Sequence, residues 1–189
     1  MADITFTVAG GAIKRLRDMG DGTHAEVVAA GSFPAQGYTA TATFTPAAAA
    51  YLAGDVMDVA KSMAWVDKDG VAVPANSLVR VLTAIIKIGV TSVPAGQTSY
   101  SLACFSVTPP SAQADNAAYS LAAGDLASYL GKFSLGTPVD EGDALYIKTQ
   151  YVDFDMRLVG TGFYAELITD GAHTPAAVAR TIILHGVVL

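Results

Sequence analysis

The chain has 189 residues and a formal net charge of −6, and 52% of its residues are hydrophobic while only 15% are charged. This length is sufficient for one domain with a substantial core. The acidic balance argues against a nucleic-acid partner, because nucleic-acid-binding proteins present a basic face to phosphates, and the one dense basic cluster here is Lys14, Arg15 and Arg17.

The apolar residues do not indicate a membrane protein. No apolar run approaches the ~20 residues of a membrane-spanning helix, and the first residues lack the basic and apolar regions of a signal peptide. The apolar excess therefore predicts a surface that a protein partner covers. The single cysteine, Cys104, leaves no internal disulfide and is typical of a protein assembled in the cytoplasm.

Alternation of apolar and polar residues predicts strands through most of the chain. After an N-terminal arm at residues 1–22, a single β-sandwich domain is expected at residues 23–189. Its predicted strands are Glu26–Ala30, Tyr38–Phe44, Val56–Ala60, Ser62–Val66, Leu78–Ile88, Ser99–Val107, Val152–Leu158, Gly162–Ile168 and Arg180–Val188. Leu78–Ile88 is apolar on both faces, which predicts either a central strand or a bulge that reverses the alternation.

Two connecting segments are rich in alanine. Residues 45–53 are predicted to cross between strands without a stable helix, because an isolated helix needs ~12 or more residues. In this crossover, Tyr51 and Leu52 are expected to close the end of the sandwich. Ala123–Leu130 is predicted to form one short helix, since its two leucines share a helical face and Gly131 is well placed to end it.

The spacing of strands and turns defines the expected fold class. Many short strands at roughly ten-residue spacing are typical of β-sandwiches and jelly rolls. The sequence therefore predicts an all-β, jelly-roll-like β-sandwich with one short helix near residues 123–130 and an extended N-terminal arm.

The reactive side chains form no catalytic pattern. His24, His173 and His185 lack the spacing of a metal pair and are interpreted as surface or edge histidines. Cys104 alternates with apolar neighbours, which places it in the core as a small apolar group. The glycines form no phosphate-binding motif. We therefore expect no enzyme activity, no cofactor and no metal centre.

Three acidic segments allow a binding site beside a structural role. Asp153 and Asp155 share a strand face with Arg157, as solubilising charges do, although paired carboxylates also occur in sugar-cleaving enzymes. Residues 67–70 and 140–143 have the composition of turns, and Asp69-Gly70 in the first is typical of a hairpin. A calcium loop is the alternative for these two segments, chiefly the second, although neither carries the complete calcium-binding pattern.

Several segments resemble elements of a family of tailed-bacteriophage virion proteins. They are a charged arm with a D-G-T turn leading into a strand in residues 14–30, the step Tyr51–Val56, and the paired elements Asp115–Leu121 and Asp125–Gly131. These segments follow the order of the family's elements and cover about half of the positions from 14 to 131. The resemblance implies a jelly-roll capsid decoration (cement) protein on the outside of an icosahedral head.

A structural function follows from this resemblance. Such a protein binds the major capsid protein where capsomers meet and ties neighbouring subunits together against the pressure of internal DNA. The implied location is the outer capsid surface of the virion, after assembly in the host cytoplasm, and the implied state is a homo-oligomer such as a dimer or trimer. The alternative is a carbohydrate- or receptor-binding jelly roll of a tail fibre or baseplate, with a small hydrolase as a third.

The basic cluster is the predicted partner-binding site. Lys14, Arg15 and Arg17 lie between Gly10-Gly11 and Gly20-Asp21-Gly22 on an otherwise acidic chain. Cations on a mobile arm would pair with carboxylates of the shell and bind many copies cooperatively. The alternative is that these residues occupy a solvated surface turn.

Overall fold

The computed structural model describes residues 37–109 and 111–189, together with three short strands nearer the N-terminus. The chain divides into two compact units, Met1–Pro34 and Ala35–Leu189. The predicted N-terminal arm ends at residue 22. The first unit extends further and includes a strand beyond that residue.

The first unit contains an antiparallel three-stranded sheet. Its strands are β1 (Ile4–Thr7), β2 (Ile13–Asp18) and β3 (His24–Glu26), with β2 in the middle. Pairing satisfies backbone N–H and C=O groups that a lone extended segment would leave to water. The described residues of the predicted arm are therefore paired strands rather than a single unpaired segment. Most of the predicted strand Glu26–Ala30 lies outside the described residues.

The described part of the second unit contains nine strands. They are β4 (Gly37–Phe44), β5 (Lys61–Val66), β6 (Leu78–Ile88), β7 (Tyr100–Phe105), β8 (Tyr129–Gly136), β9 (Val139–Asp140), β10 (Tyr146–Arg157), β11 (Gly162–Thr169) and β12 (Arg180–Val188). They form one sheet in the order β8-β7-β11-β5-β4-β12-β6-β10-β9. The predicted all-β class is confirmed.

The nine-stranded sheet curls into two layers. The first layer is β4-β12-β6-β10 with β9 at its edge, and the second is β5-β11-β7-β8. Only two residue pairs join the layers at the β4–β5 corner. On the opposite side β8 lies against β10, where the rings of Phe133 and Phe154 are 5.3 Å apart. Gly131 permits this approach: its φ is 128°, and a Cβ there would lie 2.8 Å from the Phe154 ring.

The strands pair in a nested order. β7 pairs with β8, β6 with β10, β5 with β11 and β4 with β12, all antiparallel. The chain is therefore a long hairpin, with four strands running out and four running back, that has been rolled up. Within each layer outgoing and returning strands alternate, which makes every neighbouring pair antiparallel.

The core lies between the two layers. Inward-facing residues of β4, β6 and β12 meet those of β5, β7 and β11, and Trp65 heads the fully buried side chains by volume. Cys104 is part of this core, as predicted, and burial raises the pKa of its thiol. β7 is buried on both faces, because Ala103 and Phe105 pack with Ile168 in a second, smaller core on its other side.

β6 is a central strand and also takes part in a bulge, the two features between which its sequence left the choice open. It lies between β12 and β10, and its register shifts at Leu82, which stands opposite two residues of β10, Val152 and Asp153. Asp153 accordingly has a positive φ of 49°. The buried positions change from odd-numbered residues before Leu82 to even-numbered residues from Ala84 onward. A bulge therefore keeps one apolar face of β6 on the core along its whole length.

The predicted helix at Ala123–Leu130 is wrong. Only Ala123–Asp125 forms a helical turn, of the 3₁₀ type, and β8 begins at Tyr129. Leu126 is 60% exposed, so the two leucines do not share a buried helical face. Asp125 instead turns inward and accepts a hydrogen bond from the backbone N–H of Ser111. A helix this short needs tertiary packing to offset its nucleation cost, and that packing is missing.

The predicted strand at Val56–Ala60 is also wrong. Val56 forms only an isolated bridge to Ile168, while its N–H donates to the carbonyl of Ala117. Asp58 has a φ of 73°, which ends the extended conformation. The short segment is thus divided between two partners and cannot form a ladder with either.

The crossover, residues 45–60, connects β4 to β5 without a helix, as expected for its first part. Tyr51 is 1% exposed and closes one end of the sandwich. The same expectation for Leu52 is wrong, because that side chain is 69% exposed. The hydroxyl group of Tyr51 finds a partner inside the protein, whereas Leu52 lies on the outside of the crossover.

Candidate functional site

The outer face of the first layer presents rows of side chains that the strand register brings side by side. One row is Thr41, Ile183, Ile85 and Thr149, and the next is Thr39, His185, Thr83 and Tyr151. These eight residues together with Leu82 are called the open face. Thr, Ile and aromatic side chains suit a pleated surface, and on the open face they are exposed or half-buried.

The open face is uncharged at its centre and charged at its margins. Leu82 is 42% exposed, and Tyr151, at 85%, is the most exposed of the large hydrophobic side chains that the structure describes. Lys87 lies in the adjoining row at one end, and Arg80 lies at the other end, paired with Asp155. A centre without carboxylates, lysines or arginines and a charged rim match the anatomy of a protein–protein interface, whose core is depleted in charged residues.

The acidic pair Asp153 and Asp155 is bound by this arginine. Arg80 donates from Nε and Nη2 to the two carboxylate oxygens of Asp155 at 2.6 and 2.8 Å, and its Nε lies 3.6 Å from Asp153. The hydrogen bonds from Arg80 hold the pKa of Asp155 below its usual value. Arg157 donates instead to the carbonyl of Asn76. This geometry favours a structural ion pair at the margin of the open face over a pair of catalytic carboxylates.

A buried polar cluster closes one end of the sandwich. Its members are Tyr51, Tyr100, His173 and Arg180, called the end cluster, and none is more than 5% exposed. Tyr51 and His173 exchange backbone hydrogen bonds of 2.9 and 3.1 Å. Their rings stack with centroids 6.4 Å apart, and the Tyr100 ring meets His173 edge-on at 6.3 Å.

The three predicted surface or edge histidines occupy different environments. His185 is exposed on the open face, where its Nδ1 lies 3.3 Å from the hydroxyl of Thr39. His173 is buried, so its prediction as a surface or edge residue is wrong. His24 begins β3, and its side chain lies outside the described residues.

Asp115 ties the crossover to residues 106–128, which connect β7 and β8. Its Oδ1 accepts hydrogen bonds from the Tyr51 hydroxyl at 2.5 Å and from the Asp58 N–H at 2.6 Å, and its Oδ2 accepts one from the Ala47 N–H at 2.9 Å. Burial opposes ionisation of this carboxyl, but the hydrogen bonds outweigh burial and hold the pKa of Asp115 below its usual value. Burial, followed by the hydrogen bond to Asp115, raises the pKa of Tyr51.

The substitution Asp115→Asn should lower the free energy of unfolding at pH 7 by about 1–3 kcal/mol, because an amide nitrogen would face donors that now bind a carboxylate. Ionised Asp115 favours the folded state above its unfolded pKa of 3.8, and this contribution is lost as the pH falls through the lower folded value. Urea titrations between pH 7 and pH 3 should therefore show the difference from wild type shrinking in acid. Asp143→Asn, at an exposed turn, is the control, and an equal loss in that variant would contradict the assignment.

Two buried carboxylates, Asp125 within the segment and Glu166 on β11, bind the backbone of residues 106–128. Glu166 is 1% exposed and Asp125 is 2% exposed. Glu166 accepts a hydrogen bond from the Gln113 N–H and Asp125 accepts one from the Ser111 N–H, both at 3.2 Å. Burial raises the pKa of Glu166, the Gln113 hydrogen bond opposes this, and the charge of Asp125 adds to it. Neither carboxylate is open to a substrate, so both act on the protein's own backbone.

A groove of about 420 Å³ lies beside β5 and β11. Val107 and Val159, which are 45% and 58% exposed, are among its lining residues. The lining contains hydroxyl groups from serines and threonines but no Asp, Glu, His, Lys or Arg. This groove can receive an apolar group, but it offers no side chain that could activate a hydroxyl as a nucleophile.

The two acidic turns use carboxylates to bind their own backbone. Asp67 accepts hydrogen bonds from the N–H groups of Asp69 and Val71, and Asp140 accepts one from Gly142. Among the residues that the structure describes, no three His, Cys, Asp or Glu side chains are grouped closely enough to hold a metal ion. No described helix has the length and apolar character needed to cross a membrane.

The predicted partner-binding residues Lys14, Arg15 and Arg17 all lie on β2. In the register Lys14 stands opposite Phe6 of β1, and Arg17 stands opposite Ala25 of β3. The three cations therefore occupy the central strand of a small sheet, not a turn. They lie within four consecutive positions of this strand, residues 14–17.

Sequence reasoning missed the end cluster. Its members come from the crossover, β7, the segment before β12, and β12 itself, and they meet only because the chain folds back on itself. One signal was available in the sequence, the arginine that begins the otherwise apolar strand at Arg180–Val188. In comparisons with known proteins, no protein-family model matches this chain, and no curated protein is significantly similar to it.

Proposed function

We propose that this chain is a structural virion protein that decorates and stabilises the outer surface of a bacteriophage capsid by binding the major capsid protein at capsomer junctions. The open face carries the proposal, because it is a sheet surface without Asp, Glu, Lys or Arg that exposes Leu82 and Tyr151, on a chain with few charges. The resemblance of residues 14–30, 51–56 and 115–131 to a phage virion family supplies the biological setting.

The proposal includes a jelly-roll fold for the second unit. A jelly roll is a two-sheet antiparallel structure of eight strands. The described part of the second unit has four outgoing strands, β4 to β7, and four returning strands, β8 and β10 to β12, that pair in nested order. This order supports a jelly roll. The two-residue strand β9 is an addition at the edge of the first layer.

A structural role fits the chemistry of the ionisable groups better than an enzymatic one. Glu166, Asp125, His173 and Arg180 are enclosed, and each contacts the protein's own backbone. The described groove has no charged lining residue. Binding surfaces need neither an activated nucleophile nor a general base.

Attachment is proposed to use two contacts, one in each unit. Four strands about 4.8 Å apart and about eight residues long give the open face an area of roughly 500 Å². This is less than the ~800 Å² per partner of a stable interface. In this proposal the open face joins identical copies into a homo-oligomer, and Lys14, Arg15 and Arg17 of β2 supply the second contact by binding carboxylates of the major capsid protein. Linked weak contacts of this kind strengthen one another through effective concentration.

The direct test is the number of copies of the protein in purified virions, measured by quantitative mass spectrometry. We expect several hundred copies per particle, and we expect the purified protein to bind heads that lack it. A count of a few dozen or fewer would contradict capsid decoration and place the protein in a tail structure.

Replacing Lys14, Arg15 and Arg17 together by alanine should weaken binding to heads about tenfold or more at low salt without unfolding the second unit. Cations at an interface act mainly through electrostatic attraction, which salt screens. The matched control removes three exposed cations of the second unit, Lys68, Lys132 and Arg157. Co-sedimentation with heads measures occupancy, and equal occupancy for both triple variants would remove β2 from the attachment.

Tyr151 supports a second candidate, a carbohydrate- or receptor-binding module of a tail fibre or baseplate. This side chain is 85% exposed on the open face, and exposed aromatic rings with a polar tip are common at binding surfaces. Reproducible hits on a glycan array that the change Tyr151→Ala abolishes would favour this candidate over capsid decoration.

A further inference from the structure

We propose that the end cluster is an acid-sensitive latch, in which protonation of His173 beside the buried cation of Arg180 releases the crossover from the end of the sandwich. The crossover is held on this side by a series of backbone hydrogen bonds. The Tyr51 and Gly54 N–H groups donate to the carbonyls of His173 and Thr169. The pair of hydrogen bonds between Tyr51 and His173 is the outermost of these contacts, so the latch lies at the position where opening would start.

The hydrogen bonds of His173 define its neutral form. Its Nδ1 lies 2.9 Å from the carbonyl oxygen of Gly171, and since a carbonyl only accepts, Nδ1 carries the proton. Nε2 is then an acceptor, and this buried atom has no hydrogen-bond partner among the described residues. The hydroxyl of Thr169, 3.3 Å from Nδ1, adds no charge. A second proton would therefore go to Nε2, inside the closed end.

The groups around His173 do not compensate that second proton. Tyr51 of the crossover stacks on the ring, and Tyr100 of β7 meets its edge. Arg180 of β12 is 1% exposed, and its Nη1 donates to the carbonyls of Ala176 and Val178. In the described structure, no carboxylate forms an ion pair with His173 or Arg180.

Three carboxylates on the segments that form this end of the sandwich bind other partners. Asp115 binds the hydroxyl of Tyr51 on the far side of that ring. Asp170 accepts hydrogen bonds from the hydroxyls of Ser99 and Ser101, and Asp55 accepts one from the Leu52 N–H. An imidazolium at position 173 would thus be a desolvated cation next to another buried cation.

This environment sets the direction of the pH dependence. Burial lowers the pKa of His173, the Gly171 carbonyl opposes this, and the charge of Arg180 adds to the lowering. The closed latch therefore binds the second proton less readily than an opened one, whose histidine has an ordinary pKa near 6.5. Above about pH 7 the histidine is neutral in both the closed and the open latch, so it does not shift the equilibrium between them. As the pH falls below about 6.5, the open form takes up the proton first and is favoured.

Amide hydrogen exchange of the wild-type protein tests the latch. Protection factors of the Tyr51 and His173 amides should fall about tenfold per pH unit between pH 6.5 and the lower pKa of the closed state. Amides of Ile86 and Leu184 in the core strands should show no matching fall. Asp115, with a pKa below 3.8, stays ionised through this window. Unchanged protection at Tyr51, or an equal fall at the core amides, would overturn the proposal.

A substitution separates His173 from other titrating groups. His173→Asn keeps a side-chain nitrogen near the position of Nδ1, where it can donate to Gly171, but it has no second proton to accept. We expect the pH dependence of Tyr51 protection to disappear in this variant and to persist in His185→Asn, the matched change at an exposed histidine. Persistence in both variants would overturn the latch. If His173→Asn does not fold, NMR titration of the wild-type imidazoles decides, because a His173 pKa at or above 6.5 would also overturn it.

Discussion

Trp65→Ala is expected to lower the free energy of unfolding by about 3–5 kcal/mol, the range for removing a buried aromatic side chain. Trp65 is fully buried, lies 6.1 Å from the ring of Phe163, and stands opposite Ala40 where β4 and β5 join the two layers. Only two residue pairs hold that corner, so the cavity would open where few backbone hydrogen bonds join the two layers. Chemical denaturation of both proteins measures the difference.

Trp65→Phe is the matched control for this prediction. The indole N–H of Trp65 has no hydrogen-bond partner among the described residues, so phenylalanine loses volume without breaking a hydrogen bond. We expect it to cost less than half of the alanine change. Equal losses for the two variants would mean that the indole itself, rather than the filled volume, stabilises the corner.

The double change of Leu82 and Tyr151 to aspartate is expected to weaken self-association by about 2–5 kcal/mol, which is roughly 30-fold to several thousand-fold in the dissociation constant. Both side chains are exposed in the single chain, so the fold should tolerate the charges. In an oligomer formed through the open face, the same carboxylates would be buried without partners.

Sedimentation equilibrium measures the self-association, and the amount of protein bound to heads should decrease when self-association is weakened. Leu126→Asp is the control, because Leu126 is 60% exposed but lies outside the open face. If all these aspartate variants associate as the wild type does, the open face is not the interface between copies. If Leu126→Asp alone disrupts association, the interface lies near residues 106–128 instead.

Strands whose burial is specified by their own sequence were predicted well. Leu78–Ile88 and Arg180–Val188 have the predicted bounds, because each has an apolar face that continues for its whole length. β8 was missed, since Tyr129–Gly136 includes two glycines and its inner face is completed by Phe154 of β10. Local patterns also assigned Ala123–Leu130 to a helix that the packing of Asp125 and Leu126 does not support.

The candidate sites depended even more on long-range contacts. The open face could not be derived from one strand, because its rows combine Thr39, Thr83, Tyr151 and His185 from four separate segments. The end cluster required knowledge that the crossover lies beside the chain entering β12. Sequence alone placed Cys104 in the core correctly, since alternation within β7 was sufficient for that assignment.

The nested pairing also has a consequence for how the protein is made in the cell. Of the four nested pairs, only β7–β8 can form soon after synthesis, whereas β4 must wait for β12, which the ribosome completes more than a hundred residues later. Until then, apolar strands such as β6 emerge without their neighbours, and distant pairings of this kind form slowly and risk aggregation. Production of this protein should therefore respond to the supply of chaperones during translation.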